Sequence, residues 1–190
     1  MFKILDGVCT PKRGTKYSAY VDLFSRKDYI IGAGETKVIK LGVKIDWRAI
    51  MKICVSLEPF STADDDIKEY EKFMSSHYLE IALRSSLGAK GLIIANGIGI
   101  IDLDYPDEIG LIVHNPLKPY ELNEPDIDES HYELVSESDS YLINKGDKVA
   151  QCTLKEHKGY LMGYESDVVR VSGFGSTGIW IKSNSQLINQ

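Results

Sequence analysis

TKVIKLGVKI, residues 36–45, places Ile39, Leu41, Val43 and Ile45 at alternate positions, with Lys40, Gly42 and Lys44 between them. Side chains two residues apart share one face of a strand, so the run predicts a half-buried antiparallel strand with its apolar face from Ile39 onward. Short segments of similar character lie on both sides, separated by Gly, Pro, Asn or Asp: AYVDLFS at 19–25, YLEIAL at 78–83, GLIIAN at 91–96, EIGLIVHN at 108–115 and KVAQCTL at 148–154. Together they predict an all-β body. The continuous apolar centre of EIGLIVHN predicts a strand covered on both faces.

One segment changes period. In STADDDIKEYEKFMSSH, residues 61–77, Ser61 or Thr62 can cap a helix, and Asp64, Asp65 and Asp66 suit the positive end of its macrodipole. Ile67, Tyr70, Phe73 and Met74 recur at helical spacing. An amphipathic helix starting after Pro59 is predicted, packed on the β body or, as the second reading, binding a partner. Residues 116–144 are rich in proline and acids, which predicts a long surface excursion. Its carboxylates could meet a metal, but they lack the spacing of a calcium loop, and a solvated loop is the simpler reading.

At 190 residues with 43% hydrophobic side chains, the chain can bury the core of a single domain spanning 1–190. The formal net charge of -6 argues against a non-specific grip on nucleic acid, while leaving room for a small anion held by local donors. Cys9, Cys54 and Cys152 are widely spaced and form no CxxC pair, which suits a reducing compartment better than a disulfide framework or zinc site. The N-terminal apolar run is too short for a signal peptide, and no segment reaches the ~20 apolar residues of a spanning helix. A cytoplasmic protein without membrane contact is the expectation.

Three stretches carry groups suited to chemistry. RSSLGAKG, 84–91, combines Arg84, Ser85, Ser86, two glycines and Lys90; hydroxyls and backbone N–H groups in such a turn can cradle phosphate, or it can be a turn with a surface arginine. NGIGIIDLDY, 96–105, sets Asn96, a donor and acceptor, against Asp102, a potential general base, and Tyr105, a potential stacking face; Gly97 and Gly99 permit a tight bend or close approach to a flat ligand. A polar-turned hairpin is the alternative. RVSGFGSTG, 170–178, lacks the GxxxxGK[ST] pattern of a P-loop and leaves a Gly/Ser arm that could close over a ligand.

In sequence and order, AYVDLFS, RSSLGAKG, NGIGIIDLDY, GDKVAQ and SGFGSTG resemble the five motifs of the trimeric dUTPase family. The resemblance implies a distorted jelly-roll-like (β-clip) fold with a small inserted helical segment. It implies a homotrimer with shared sites, so that a monomer would be inactive, and Mg²⁺-dependent hydrolysis of dUTP to dUMP and pyrophosphate. That reaction keeps uracil out of DNA and supplies dUMP for dTMP synthesis.

On this resemblance, Asp102 orients and deprotonates the water that attacks the α-phosphorus, and Gln151 helps hold phosphate and water. Asn96 contacts uracil from a hairpin, Asn96 to Tyr105, whose substrate-binding positions include Gly99 and Ile101, while Tyr105 packs on deoxyribose. Arg84, Ser85 and Ser86 meet the phosphates, and Asp22 reaches the metal through water, the ion being held mainly by the substrate. In a C-terminal arm from about residue 170, Phe174 stacks on uracil, and Gly175, Ser176 and Thr177 touch the γ-phosphate. Arg170 is carried over as a phosphate contact in an arm one residue shorter than the family's.

The sequence also departs from the family pattern at Tyr20, where a glycine is usual, and at Pro106-Asp107, where Arg-Gly is usual. Segments near 47–77 and 116–144 exceed the family's ordinary connections. Such insertions resemble those of viral members, which suggests a phage or prophage origin and a surface for a regulatory protein. Two rivals accompany this reading. A dCTP deaminase of the same superfamily needs a glutamate about where Ile112 stands, and a non-catalytic trimeric regulatory binding protein would not need Asp102, Asn96, Tyr105 and Gln151 together.

Overall fold

The computed structural model describes residues 1–57, 62–117 and 139–163. Twelve strands run through them: β1 Phe2–Ile4, β2 Lys12–Arg13, β3 Val21–Phe24, β4 Tyr29–Ile31, β5 Thr36–Lys40, β6 Val43–Ile45, β7 His77–Leu83, β8 Ile93–Ile94, β9 Gly99–Asp102, β10 Gly110–His114, β11 Tyr141–Ile143 and β12 Lys148–Glu156. They form a five-stranded sheet ordered β2-β3-β12-β7-β9, a three-stranded sheet β5-β10-β8, and the ribbons β1-β6 and β4-β11. Every pairing is antiparallel.

The two larger sheets enclose one apolar core. Leu79 and Ile81 of β7, Ile101 of β9, Ile39 of β5, and Leu111 and Val113 of β10 belong to it, all buried. The alternation in TKVIKLGVKI is present, with Ile39, Leu41 and Val43 fully buried. The run is nevertheless two strands, broken at Gly42 with φ +64°. A β-carbon there would lie 2.5 Å from the Cys9 Sγ. Gly42→Ala therefore combines left-handed backbone strain with overpacking and is expected to cost about 3 kcal/mol, read as a lowered urea midpoint at constant m-value.

EIGLIVHN departs from its expectation. Leu111 and Val113 are buried, but Ile112 is only half-buried, so β10 is covered fully on one face. Asn115, directly after it, is completely buried. Its side-chain amide donates to the carbonyls of Ile31 (3.1 Å) and Asp139 (2.8 Å), while its Oδ1 accepts from the Leu117 N–H at 3.2 Å. These bonds close the base of the excursion, whose residues 118–138 lie outside the described structure.

The inserted segment holds two helices, α1 Trp47–Leu57 and α2 Ala63–Ser76. Thr62 and Asp65 form a reciprocal capping box at the start of α2, and Asp64, Asp65 and Asp66 occupy its first turn as charge complementarity requires. Tyr70, Phe73 and Met74 pack toward Ile50 and Cys54 of α1, with Leu103 beside them. Ile67, assigned to the same face by its spacing, is 50% exposed. The helix ends where His77 turns extended, and its Nδ1 donates to the Phe73 carbonyl at 3.1 Å, satisfying a last-turn acceptor. The chain passes directly into β7, so the insertion is rooted at one end of the strand that carries Arg84 at its other end. A third helix, α3, is the single turn Ser85–Gly88.

Candidate active site

Asp22, Arg84 and Gln151 come from distant parts of the sequence and meet on the outer face of the five-stranded sheet. Gln151 of β12 lies directly opposite Asp22 of β3 on one side and Ala82 of β7 on the other. Arg84 follows β7, its backbone N–H bonded to the Val149 carbonyl at 3.1 Å. These residues line a cavity of about 460 Å³ together with Thr15, Ser18 and Tyr20.

Lys148 lines the same cavity, and a local irregularity of β12 places it there. Lys148 pairs with Phe24 but Ala150 pairs with Leu23, so Val149 is an extra residue in the ladder. In a regular strand Lys148 and Gln151, three apart, would point to opposite faces; the bulge puts both on the Asp22 face. Lys148 Nζ then sits 3.1 Å from Asp22 Oδ2, while Arg84 Nη1 binds Oδ1. The Asp22 residue is 5% exposed, and each carboxylate oxygen faces one cation. Lys148 lay within a motif already singled out by sequence, but the bulge that aims it has no local signature.

Ser85 and Ser86 are exposed in the turn after Arg84. The first N–H groups of a helical turn have no acceptor within it, so this turn can present amides and hydroxyls to an anion. Its far end is tied down, because the Tyr141 hydroxyl donates to the Lys90 carbonyl. Gly91 follows with φ +99°, where a β-carbon would lie 2.9 Å from that hydroxyl.

Asp102 stands elsewhere. It pairs with Tyr78, four residues before Ala82 on β7. With ~3.3 Å per residue along the strand and ~4.8 Å between strands, Asp102 lies about 16 Å from Gln151 within one chain. Asp102 is exposed at the end of β9, and exposed Ile100 shares its face. Between the two patches, the Tyr20 hydroxyl donates to Glu80, which also accepts from the Tyr78 hydroxyl at 3.2 Å. The bond to Glu80 raises the Tyr20 phenol above its ordinary pKa, burial adding to the effect. Tyr20, the replacement for the usual motif glycine, thus forms a strut across β12.

The segment 96–105 differs from a simple hairpin. Asn96 is exposed in a turn with Gly97 at φ +74°, but β8 before it pairs with β10, and β9 after it pairs with β7. The segment therefore crosses from one sheet to the other. The Ile101 side chain lies in the core, leaving only its backbone to face a ligand. Gly99 packs against Ile81, whose Cβ would lie 3.1 Å from a β-carbon at that position. Tyr105 is also buried, at 7% exposure, and lines a cavity of about 430 Å³ together with Lys40 and Lys44. Little of the Tyr105 surface is therefore open to solvent.

A larger cleft of about 800 Å³ beside α2, lined by Phe73, His77, His157 and Tyr160, contains none of the predicted site residues. Arg170, Phe174, Gly175, Ser176 and Thr177 lie outside the described residues. Among the described residues, no group of three or more His, Cys, Asp or Glu is arranged to hold a metal. Nor does Asp22, with an oxygen committed to each cation, resemble the open carboxylate of a direct ligand set. The donor set suits an ion brought in on phosphate oxygens.

The fold is that of dUTPases. Staphylococcus bacteriophage 80alpha dUTPase with dUpNHpp aligns at a TM-score of 0.57 and 19% identity, over 94% of this chain and 92% of that one. A mutant dUTPase from phage phi11 of S. aureus, described for its coordination of a structural Mg(II) ion, aligns at 0.55 and 20%, over 93% and 98%. No family model matches the sequence. The deoxyuridine 5'-triphosphate nucleotidohydrolase of Variola virus is 30% identical over 178 residues, covering 90% of this chain and 86% of the viral protein. On that relationship the chain belongs to the dUTPase family.

Proposed function

We propose that this protein hydrolyses dUTP to dUMP and pyrophosphate in the presence of Mg²⁺, as a homotrimer that builds each site from more than one chain. The supporting observation is the division of the motif residues into two patches on one sheet face: Asp22, Arg84, Lys148 and Gln151 in one, Asp102 in the other. Two neighbouring copies can bring such patches face to face.

In this reading Arg84, with the Ser85–Ser86 turn, binds and orients the polyphosphate by charge-assisted and backbone hydrogen bonds. Gln151 fixes the phosphate and the attacking water. Asn96 and the backbone around Gly99 and Ile101 read the uracil edge, and Tyr105 limits space beside the sugar. Asp102 accepts the proton of the water as its oxygen bonds to the α-phosphorus, and the bond to the bridging oxygen breaks to release pyrophosphate. Asp22 would help hold Mg²⁺ beside the phosphates, and the ion would supply charge neutralisation there. Phe174 and the 170–177 arm, including Arg170, Gly175, Ser176 and Thr177, complete the closure over base and γ-phosphate.

The deaminase alternative is disfavoured by Ile112, a half-buried aliphatic residue opposite Val38 that cannot move protons. Among the described residues no helix is long and apolar enough to span a membrane. Cys9, Cys54 and Cys152 are free and buried, the Cys152 thiol being pushed up to about 12 by burial, which suits a reducing cytoplasm. The α1–α2 insertion and residues 116–144 are assigned as the surface for any regulatory protein.

The direct test measures pyrophosphate and ammonia release from dUTP, dCTP, dTTP and UTP with and without Mg²⁺. Selective Mg²⁺-dependent release of pyrophosphate from dUTP is expected. Ammonia from dCTP would establish the deaminase instead, and no turnover of any nucleotide would favour the binding protein.

A further inference from the structure

The cations of the phosphate patch are already occupied by an internal anion. Asp22 is almost fully buried, yet Arg84 and Lys148, which clasp its two oxygens and line the cavity, keep side-chain exposures of 28% and 50%. The bulge at Val149 is what brings the lysine to this position. A carboxylate held between an arginine and a lysine has the charge and acceptor geometry of a phosphate oxygen pair.

We propose that Asp22 is a phosphate surrogate, a positioning residue that holds Arg84 and Lys148 when the cavity is empty, yields them to the incoming polyphosphate, and recaptures them as pyrophosphate leaves. The proposal rests on the reading of this cavity as the phosphate site.

Competition of this kind lowers the apparent affinity for any polyphosphate by the fraction of molecules in which the cations are free. Substrate has uracil and deoxyribose contacts to offset that cost, whereas pyrophosphate has none. The factor is the same for both ligands, but substrate keeps enough affinity through its base and sugar contacts to bind, while pyrophosphate, held by the cations alone, leaves faster at the end of each turnover.

Inorganic pyrophosphate titrated calorimetrically into the full-length protein without nucleotide tests this. Asp22→Asn is expected to bind pyrophosphate at least about tenfold more tightly than wild type, the factor expected if the cations are free in a tenth of molecules. Pyrophosphate should correspondingly become a stronger inhibitor of dUTP turnover. Glu80→Gln, which removes an equal charge from the same sheet face without touching either cation, should stay within about twofold of wild type, separating displacement from a general field. Arg84→Ala should lose pyrophosphate binding.

Equal or weaker binding by Asp22→Asn, with Arg84→Ala still abolishing it, overturns the surrogate and leaves the phosphate site standing. An equal gain in Glu80→Gln overturns it in favour of bulk charge. Binding by none of the proteins, or binding unaffected by Arg84→Ala, overturns the phosphate-site reading itself. Thermal melting checks that the variants are folded, and Asp22→Ser serves as the second substitution; a chain that folds with neither Asn nor Ser needs the carboxylate structurally and also overturns the proposal.

Discussion

Asp102→Asn is expected to reduce dUTP turnover by about 10³-fold, within the range associated with loss of a general base, while leaving the melting temperature within about 1 °C of wild type. The separation of the two effects follows from location. Asp102 ends β9 on the exposed face, and the turn beyond it is fixed by backbone, with the Tyr105 N–H donating to the Asp102 carbonyl at 3.0 Å. Asparagine keeps the volume and side-chain hydrogen-bonding oxygen but is a far poorer proton acceptor. The KM for dUTP should change less than threefold, because the cations proposed to bind phosphate lie in the other patch, and an interaction used in the transition state falls mainly on kcat. Steady-state pyrophosphate release and thermal melting measure the two halves. A large drop in melting temperature would make Asp102 structural, and near-normal turnover would remove it as the base.

The sequence revealed different parts of this molecule with different clarity. Alternation in 36–45 identified the inward face of Ile39, Leu41 and Val43 because a strand imposes period two locally. The capping box made the start of α2 equally legible. The extent of β4 and β11 was not, because their paired Ile30 and Leu142 are exposed and give no buried alternation to detect. Burial of Tyr105 and Ile101 likewise depends on how 96–105 crosses between sheets, a non-local fact. Of the candidate site, Asp22, Arg84, Gln151 and Asp102 were proposed by motif, but the Asp22 clasp was not legible. It arises from a one-residue bulge that gives Lys148 and Gln151 the same face. The distance between Asp102 and the other patch was hidden for the same reason: motif order records position along the chain, whereas separation is set by register on β7.

If the proposed shared site is right, that separation should let two individually disabled proteins restore each other. On the proposed reading Asp102→Asn would remove the base and Arg84→Ala a phosphate cation, so each variant alone should be nearly inactive. If each catalytic site takes its cation patch from one chain and Asp102 from a neighbour, random mixing at equal amounts leaves about one quarter of sites with both groups intact. A mixture denatured and refolded together should therefore regain roughly a quarter of wild-type activity, whereas the proteins refolded separately and then combined should show little. The ~16 Å spacing within one chain is too long for Asp102 to activate a water that Arg84 and Gln151 hold against the same phosphorus, since proton transfer requires hydrogen-bond reach of about 3 Å. A single-chain site makes the opposite prediction: every subunit in the mixture carries one lesion, so no intact site forms and activity stays at the background of the parents. Size-exclusion chromatography with light scattering distinguishes failure to form mixed assemblies from failure of shared sites when the two variants carry tags of different mass. Mixed trimers without recovered turnover would place all the catalytic groups on one chain and require a large rearrangement to bring Asp102 to the phosphate patch.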